Sequence, residues 1–264
     1  MKYAYTITNL LDMLVKPKFA SERVNQLLFS ELVTVGTERN GYCHVTQCDG
    51  YRGWVDAGFL RPISKARLQA HRKSLNGVVA RSSARILGAD RRARPPYRLY
   101  YSTPVAIRSI SRGIVQAHLP DNSVFLLKQR SVRPINGSGV ETVSGSALIA
   151  EAKKFLGVPY LWGGISPAGF DCSGLVQSVC AQFGIRLPRD TCDQRKVGKR
   201  ISRDEVRSGD LLFFERHVGF AIGRDRIIHA SVAGGGVRMN SLKADMDDYR
   251  IDLDRDFQQA RRVL

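Results

Sequence analysis

The chain has 264 residues, of which 43% are hydrophobic, enough for one large domain or two to three small ones and unlike a fibrous or disordered chain. Lys and Arg number 41 against 24 Asp and Glu, a formal net charge of +17, and no window approaches the run of about 18 apolar residues of a membrane span. The five cysteines, Cys43, Cys48, Cys172, Cys180 and Cys192, are odd in number and irregularly spaced, which argues against a disulfide framework and fits a reducing compartment.

The opening stretch, MKYAYTITNLLDMLVKPKFA, lacks a signal peptide's unbroken apolar core, because Thr6, Thr8, Asn9 and Asp12 interrupt it. The expectation is a soluble, cytoplasmic protein; a leader already removed would instead mean export. Residues 1–63 read as short strands between turns, with an alternating run, a polar turn at Glu38–Gly41, a second run and a Cys-Asp-Gly turn before Tyr-Arg-Gly-Trp-Val. That spacing suggests a small β-barrel. CHVTQC (Cys43–Cys48) has neither a zinc knuckle's spacing nor a second pair, and alternation puts Cys43 beside Val45, so it reads as packing and no metal is expected.

Residues 64–76 are polar and basic and form a linker or connecting helix. Residues 77–138 read as a second, divergent copy of the first barrel: GFLRPI (Gly58–Ile63) and RSVRPI (Arg130–Ile135) close the two segments alike. The net charge is concentrated here, with 11 basic residues against 2 acidic ones between positions 76 and 138, centred on DRRARPPYR (Asp90–Arg98). Such a cluster suits a polyanion or is simply a solvated face. With no nucleic-acid motif beside it, the solvated face is preferred and no nucleic-acid partner is expected.

A Gly/Ser/Thr-rich stretch, Arg133–Ala147, separates this segment from a C-terminal domain over residues 139–264. Leu148, Ile149, Ala152, Phe155 and Leu156 recur at helical spacing after a Ser cap, with Gly157 as terminator. A second helix follows Cys172, with Leu175, Val176, Val179, Cys180 and Phe183 on one face. GDLLFF, HVGFAIG, RIIHAS and GVRMNSL then read as strands. Helices followed by an antiparallel meander make an α+β domain.

Cys172 stands at the mouth of that second helix, where the dipole and the free N–H groups favour a thiolate. Small neighbours, Ser173 and Gly174, are expected to leave the sulfur accessible. A lone cysteine at a helix start is ordinarily structural; the histidines change this. Of the five, His217 and His229 lie on consecutive strands downstream of Cys172, and a short turn between antiparallel strands can bring two side chains together on one face. The pattern is a nucleophile (Cys172), a base (His217) and a residue orienting the base (His229). Tyr160, beside Gly163 and Gly164, is a candidate oxyanion donor with the Cys172 backbone N–H. Cys180 reads as core and Cys192 as a bystander near the cleft. AGGGV (Ala233–Val237) is a hairpin turn rather than a phosphate loop, and the acidic stretch Lys243–Asp256 is surface without calcium-loop spacing.

The succession PYLWGG, FDCSGLVQ, GIRLPRDTCDQ, SGDLLFF, RHVGFAIG and RIIHAS resembles the NlpC-type (NlpC/p60) cysteine peptidases of bacterial cell-wall metabolism across roughly residues 145–242. The resemblance implies a papain-like catalytic domain with Cys172, His217 and His229 as triad and Tyr160 at the oxyanion, and no cofactor. It implies cleavage of peptidoglycan stem peptides between γ-D-glutamate and a diamino acid, lysine or diaminopimelate. With two SH3-like β-barrels in front, the chain is similar to a narrower group, the γ-D-glutamyl-L-diamino acid peptidases of murein recycling. There an acidic residue, a tyrosine and a catalytic-domain aspartate hold the free amine of the substrate's N-terminal L-Ala. Asp190 of LPRD matches that aspartate, Tyr51 of GYRGW the tyrosine and Glu31 of SELV the acid, while Ser173 and Trp162 are expected on the glutamate side. Thr191 departs from the group's usual Ser or Ala, and the second barrel lacks the Gly-Trp signature.

Three readings follow: a peptidase of free wall peptides, an endopeptidase of intact peptidoglycan outside the cell, and a non-catalytic module binding an anionic polymer. The complete Cys/His/His set opposes the third. The Asp190 and Tyr51 matches, with the interrupted N-terminus, favour the first.

Overall fold

The computed structural model describes residues 2–135 and 143–264, which fall into two compact units, residues 1–138 and 139–264. The expected boundary at 138/139 lies outside the described residues. No helix among them is long and apolar enough to cross a membrane.

In the first unit, β1 (Tyr3–Thr6), β2 (Leu10–Leu14), β3 (Arg23–Leu28), β4 (Leu32–Arg39), β5 (Tyr42–Thr46), β6 (Arg52–Asp56) and β7 (Leu60–Pro62) form one curled antiparallel sheet in the order β3-β2-β6-β5-β4-β1-β7. Alternation decides which side chains face inward: Cys43, Val45 and Val55 are buried, with Met13 and Leu27 across from them. Residues 65–74 form a helix, α1 (Lys65–Ser74), capped by the Ser64 side chain accepting from Arg67 N–H.

The second sheet comprises β8 (Gly77–Val79), β10 (Gly88–Ala89), β12 (Pro104–Ser111), β13 (Ile114–His118), β14 (Val124–Lys128) and β15 (Val132–Pro134), with β9 (Ser83–Arg85) and β11 (Arg98–Tyr100) as a separate pair. Both sheets end alike. A single 3-10 turn (Ala57–Phe59, Gln129–Ser131) leads into three residues, Leu60–Pro62 and Val132–Pro134, that pair with the first strand of their own segment. The stretches GFLRPI and RSVRPI thus occupy the same kind of position, a 3-10 turn and closing strand, in their own sheets. Tyr5, Phe29 and Leu32 share a core with Leu99, Val105 and Phe125, and the Phe29 and Phe125 rings meet edge to face at 5.9 Å. The basic Asp90–Arg98 stretch is largely exposed, with the Arg85 and Arg98 guanidiniums near the Tyr97 ring.

The second unit contains α2 (Gly145–Lys153), the short hairpin β16 (Ile165–Ser166) and β17 (Gly169–Phe170), α3 (Cys172–Ala181) and α4 (Thr191–Gln194). A six-stranded antiparallel sheet follows, with β18 (Lys199–Ile201), β19 (Leu211–Phe214), β20 (Val218–Ala221), β21 (Arg226–Ser231), β22 (Gly236–Ser241), α5 (Ile251–Arg255) and β23 (Phe257–Arg262) in chain order. The strand order is β18-β23-β19-β20-β21-β22. This is the expected α+β, papain-like arrangement of helices against a meander. The cap of α2 is Ser144, and α2 ends before Phe155, so Leu156, expected on its apolar face, is 42% exposed.

Candidate active site

Asp171 shapes the start of α3. Its Oδ1 accepts from Gly174 N–H at 2.7 Å as the N-cap, and its Oδ2 accepts from Gly163 N–H at 2.9 Å. One carboxylate therefore pins both the helix start and the PYLWGG loop. The Arg189 guanidinium closes on the same carboxylate, with Nη1 at 3.1 Å from Oδ1 and Nη2 bonded to Oδ2, and both side chains are buried. The LPRD pattern in the sequence points to Asp190 and not to this arginine. Nothing local marks Arg189 as buried; its partner lies 18 residues away.

Cys172 is the first residue of α3, so its N–H has no carbonyl within the helix to bond. Contrary to the expected accessible sulfur, Cys172 is only 7% exposed. Gly174 serves another purpose than access: a Cβ there would stand 2.1 Å from the Gly164 carbonyl oxygen, so glycine lets α3 press against the loop. Burial pushes the Cys172 thiol above its ordinary value, with the Asp171 charge adding to it. The Thr191 hydroxyl, 3.8 Å from Sγ, and the backbone N–H groups of Val218 and Ser173 oppose that shift. Thr191, noted in the sequence only as a departure from the group, is thus a neighbour of the sulfur.

His217 directly precedes β20, and its neighbour Val218 offers its N–H to the Cys172 sulfur. In the β20–β21 register, Phe220 faces Ile228, which sets Gly219 opposite His229 and His217 diagonal to it on the same face. Gly219 makes this diagonal possible, since a Cβ there would meet His229 Cβ at 2.8 Å. His217 Nε2 and His229 Nδ1 are 2.6 Å apart. His229 is buried, and its Nε2 lies 3.0 Å from Asn240 Oδ1 on β22. Asn240 was not singled out in GVRMNSL, because a strand asparagine carries no signal until the register to β21 is known. Burial pulls both histidines below the ordinary imidazole value, His217 to about 3 and His229 to about 4, and His229 adds to the effect on His217. Both rings are therefore neutral at neutral pH.

Tyr160 is half-buried, and burial, with Cys172 and Asp171 nearby, pushes its phenol pKa up, so the hydroxyl stays protonated as a donor. Trp162 is 58% exposed on the same loop. Ser173, expected on the glutamate side, is buried; its hydroxyl donates to Asp171 Oδ1 at 3.3 Å and accepts from Arg189 Nη1 at 2.8 Å. Asp190 is half-buried at the start of α4, where its carbonyl accepts from the Asp193 and Gln194 amides. Cys180 is buried in the core and Cys192 is exposed.

Glu31 and Tyr51 lie in the first unit. The Glu31 carboxylate accepts from Leu28 N–H at 2.9 Å and from Gln47 Nε2 at 2.5 Å, and Gln47 Oε1 accepts from Asn25 Nδ2. Burial raises the Glu31 pKa to about 7. Gln47 also donates its backbone N–H to Tyr51 O, so it joins Glu31 to the Tyr51 loop. The Tyr51 hydroxyl lies 3.4 Å from Val24 O. Gln47, absent from the sequence expectations, is what links the two predicted residues.

Residues 157–255 match the NlpC/P60 family model, and residues 13–58 match the bacterial dipeptidyl-peptidase SH3 domain. A gamma-D-glutamyl-L-lysine dipeptidyl-peptidase of Bacillus subtilis is 39% identical over 124 residues, 43% of this chain and 42% of that protein. The murein DD-endopeptidase MepS/murein LD-carboxypeptidase of Escherichia coli is 38% identical over 125 residues, 45% of this chain and 63% of that protein. The chain thus spans less than two thirds of either relative. A crystal structure of an NlpC/P60 family protein from Bacillus cereus matches in fold, with TM-score 0.84, 22% identity and 99% of each chain covered.

Proposed function

We propose that this chain, which carries an NlpC/P60 domain behind a bacterial dipeptidyl-peptidase SH3 domain, is a cysteine peptidase acting on peptidoglycan peptides. The observation that carries the proposal is the paired His217 and His229, 2.6 Å apart, beside a cysteine at a capped helix start. A lone structural cysteine needs no such pair.

In the reaction, His217 takes the Cys172 thiol proton as Sγ attacks the scissile carbonyl carbon. The negative oxygen that forms accepts from the Cys172 backbone N–H and the Tyr160 hydroxyl. Collapse breaks the C–N bond, and His217 returns the proton to the leaving amine. Water, deprotonated by His217, then attacks the thioester, releases the acid and regenerates the thiol. Burial works against charge on both the Cys172 thiol and the His217 ring, while the Thr191 hydroxyl and the Val218 and Ser173 N–H groups favour the thiolate.

The finer reading is cleavage between γ-D-glutamate and the diamino acid in free peptides with an N-terminal L-Ala, in the service of wall recycling, and with it a cytoplasmic location. Its support is the SH3 domain match and the Bacillus subtilis relative's name. Asp190, Tyr51 and Glu31 are the residues proposed to recognise the free amine, and Trp162 to line the glutamate side. A carboxylate left without its ammonium penalises a blocked substrate. The test is incubation with L-Ala-γ-D-Glu-diamino acid tripeptide, its N-acetylated form and purified sacculi. Release of diamino acid from the free-amine peptide alone is expected; turnover of sacculi instead would replace this reading with wall degradation.

A further inference from the structure

The hydrogen-bond chain behind the nucleophile does not end at His229. Asn240 is buried on β22, with Oδ1 3.0 Å from His229 Nε2 and Nδ2 donating to the Asp248 carbonyl at 3.0 Å. The second bond fixes the amide's orientation, because a flipped amide would aim its oxygen at the Asp248 carbonyl and leave two acceptors facing each other. The Asp248 segment is itself anchored: its carbonyl also accepts from Ser241 N–H at 3.1 Å, and Arg250 N–H donates to Ser241 O at 2.9 Å.

We propose that Asn240 is a positioning residue that sets the proton positions of both histidines through its carbonyl oxygen. An acceptor at His229 Nε2 requires the proton there. His229 Nδ1 is then a lone pair, so the nitrogen 2.6 Å away, His217 Nε2, must be the donor. His217 Nδ1 is left as the ring nitrogen that carries a free lone pair, the one that a base for Cys172 needs. The relay reads Asp248 C=O, Asn240, His229, His217, with each group's role fixed by the one behind it. The same chain stabilises the imidazolium on His217 during attack, because His217 Nε2–H continues to donate. Burial of both rings keeps the neutral tautomers dominant.

The consequence for catalysis rests on the assignment of Cys172 and His217 above, but the tautomers themselves do not. Nitrogen-15 NMR of the histidine rings of the full chain, without substrate, reads them directly. The expected result is a proton on Nε2 of both His229 and His217; a proton on His229 Nδ1 overturns the proposal whether or not the protein hydrolyses any peptide. The kinetic arm uses the tripeptide above. Asn240→Leu is expected to lower kcat roughly 10- to 100-fold, the usual scale for losing an orienting partner, with KM within about twofold. Asn240→Asp retains the acceptor toward His229 but gives up the Nδ2 donation to the Asp248 carbonyl, and is expected to restore part of kcat relative to Asn240→Leu. Its charge joins Arg250, Arg238 and Asp252, the charged groups already acting on the histidine pair, and moves the acid limb of the kcat profile to higher pH. Asn240→Leu with wild-type kcat, or Asn240→Asp with an unmoved acid limb, overturns the proposal.

Discussion

Replacing Arg189 with Met tests the foundation under the nucleophile. Arg189 is 2% exposed and Asp171 7%, and the guanidinium makes two contacts to the carboxylate and one to the Ser173 hydroxyl. The methionine keeps apolar volume but removes the counter-charge, leaving Asp171 buried with only the Gly163 and Gly174 N–H groups and the Ser173 hydroxyl. Stranding one partner of a buried pair costs about 3–5 kcal/mol, and at roughly 3 °C per kcal/mol for a unit of this size that is a fall in Tm of about 9–15 °C. Urea unfolding of the Trp54→Phe background, which leaves Trp162 on the loop that Asp171 holds as the one tryptophan, together with far-UV circular dichroism, measures the loss. Combining Arg189→Met with Asp171→Asn removes the stranded charge and should recover about half of it. A cost below about 1 kcal/mol for Arg189→Met, or no recovery in the double variant, would refute the reasoning.

Cys172→Ala should lower kcat by about four orders of magnitude or more, whereas Cys180→Ala, in the core, should cost stability and leave kcat nearly unchanged; equal kinetic losses would mean the nucleophile is another residue. Gly219→Ala places a methyl 2.8 Å from His229 Cβ and 2.7 Å from Ile227 Cδ1. Overpacking of about 1–3 kcal/mol and a kcat loss on the order of 100-fold from the displaced ring are expected together, by thermal unfolding and steady-state kinetics. Glu31 has its folded-state pKa raised to about 7. The folded state therefore favours the protonated acid: its contribution is full below pH ~4.5 and lost as pH rises through 7, by about 3–4 kcal/mol. Glu31→Gln should flatten the stability profile of the full chain between those values, and an unchanged slope would contradict the raised pKa.

The grouping of Cys172, His217 and His229, for which the roles of nucleophile, base and orienting residue are proposed, is legible because its signals are local or nearly so: a helix start at Cys172 and two strands joined by a short turn. The way each sheet of the first unit closes is foreshadowed by the Arg-Pro pairs at Arg61–Pro62 and Arg133–Pro134. Burial of Arg189 was not, since it depends on a carboxylate 18 residues away on another element. Asn240 and Gln47 were missed for a related reason. Each becomes meaningful only when a strand register or a loop closure brings a second polar group to it. Ser173, proposed for the glutamate side on the family resemblance, has a hydroxyl bonded to the Asp171–Arg189 pair, a contact that its position beside Cys172 does not reveal. The sulfur's burial likewise follows from how closely α3 packs on the PYLWGG loop, which the small residues permit rather than reveal.

Attack of Cys172 on the substrate carbonyl leaves an acyl intermediate that can be trapped. Wild-type protein is mixed with the tripeptide, quenched in acid within the first turnover and analysed by intact-protein and peptide mass spectrometry. A thioester carrying the L-Ala-γ-D-Glu acyl group on Cys172, absent from Cys172→Ala, is expected. Hydrolysis proceeding without any adduct, or an adduct on Cys180 or Cys192, would contradict attack by Cys172.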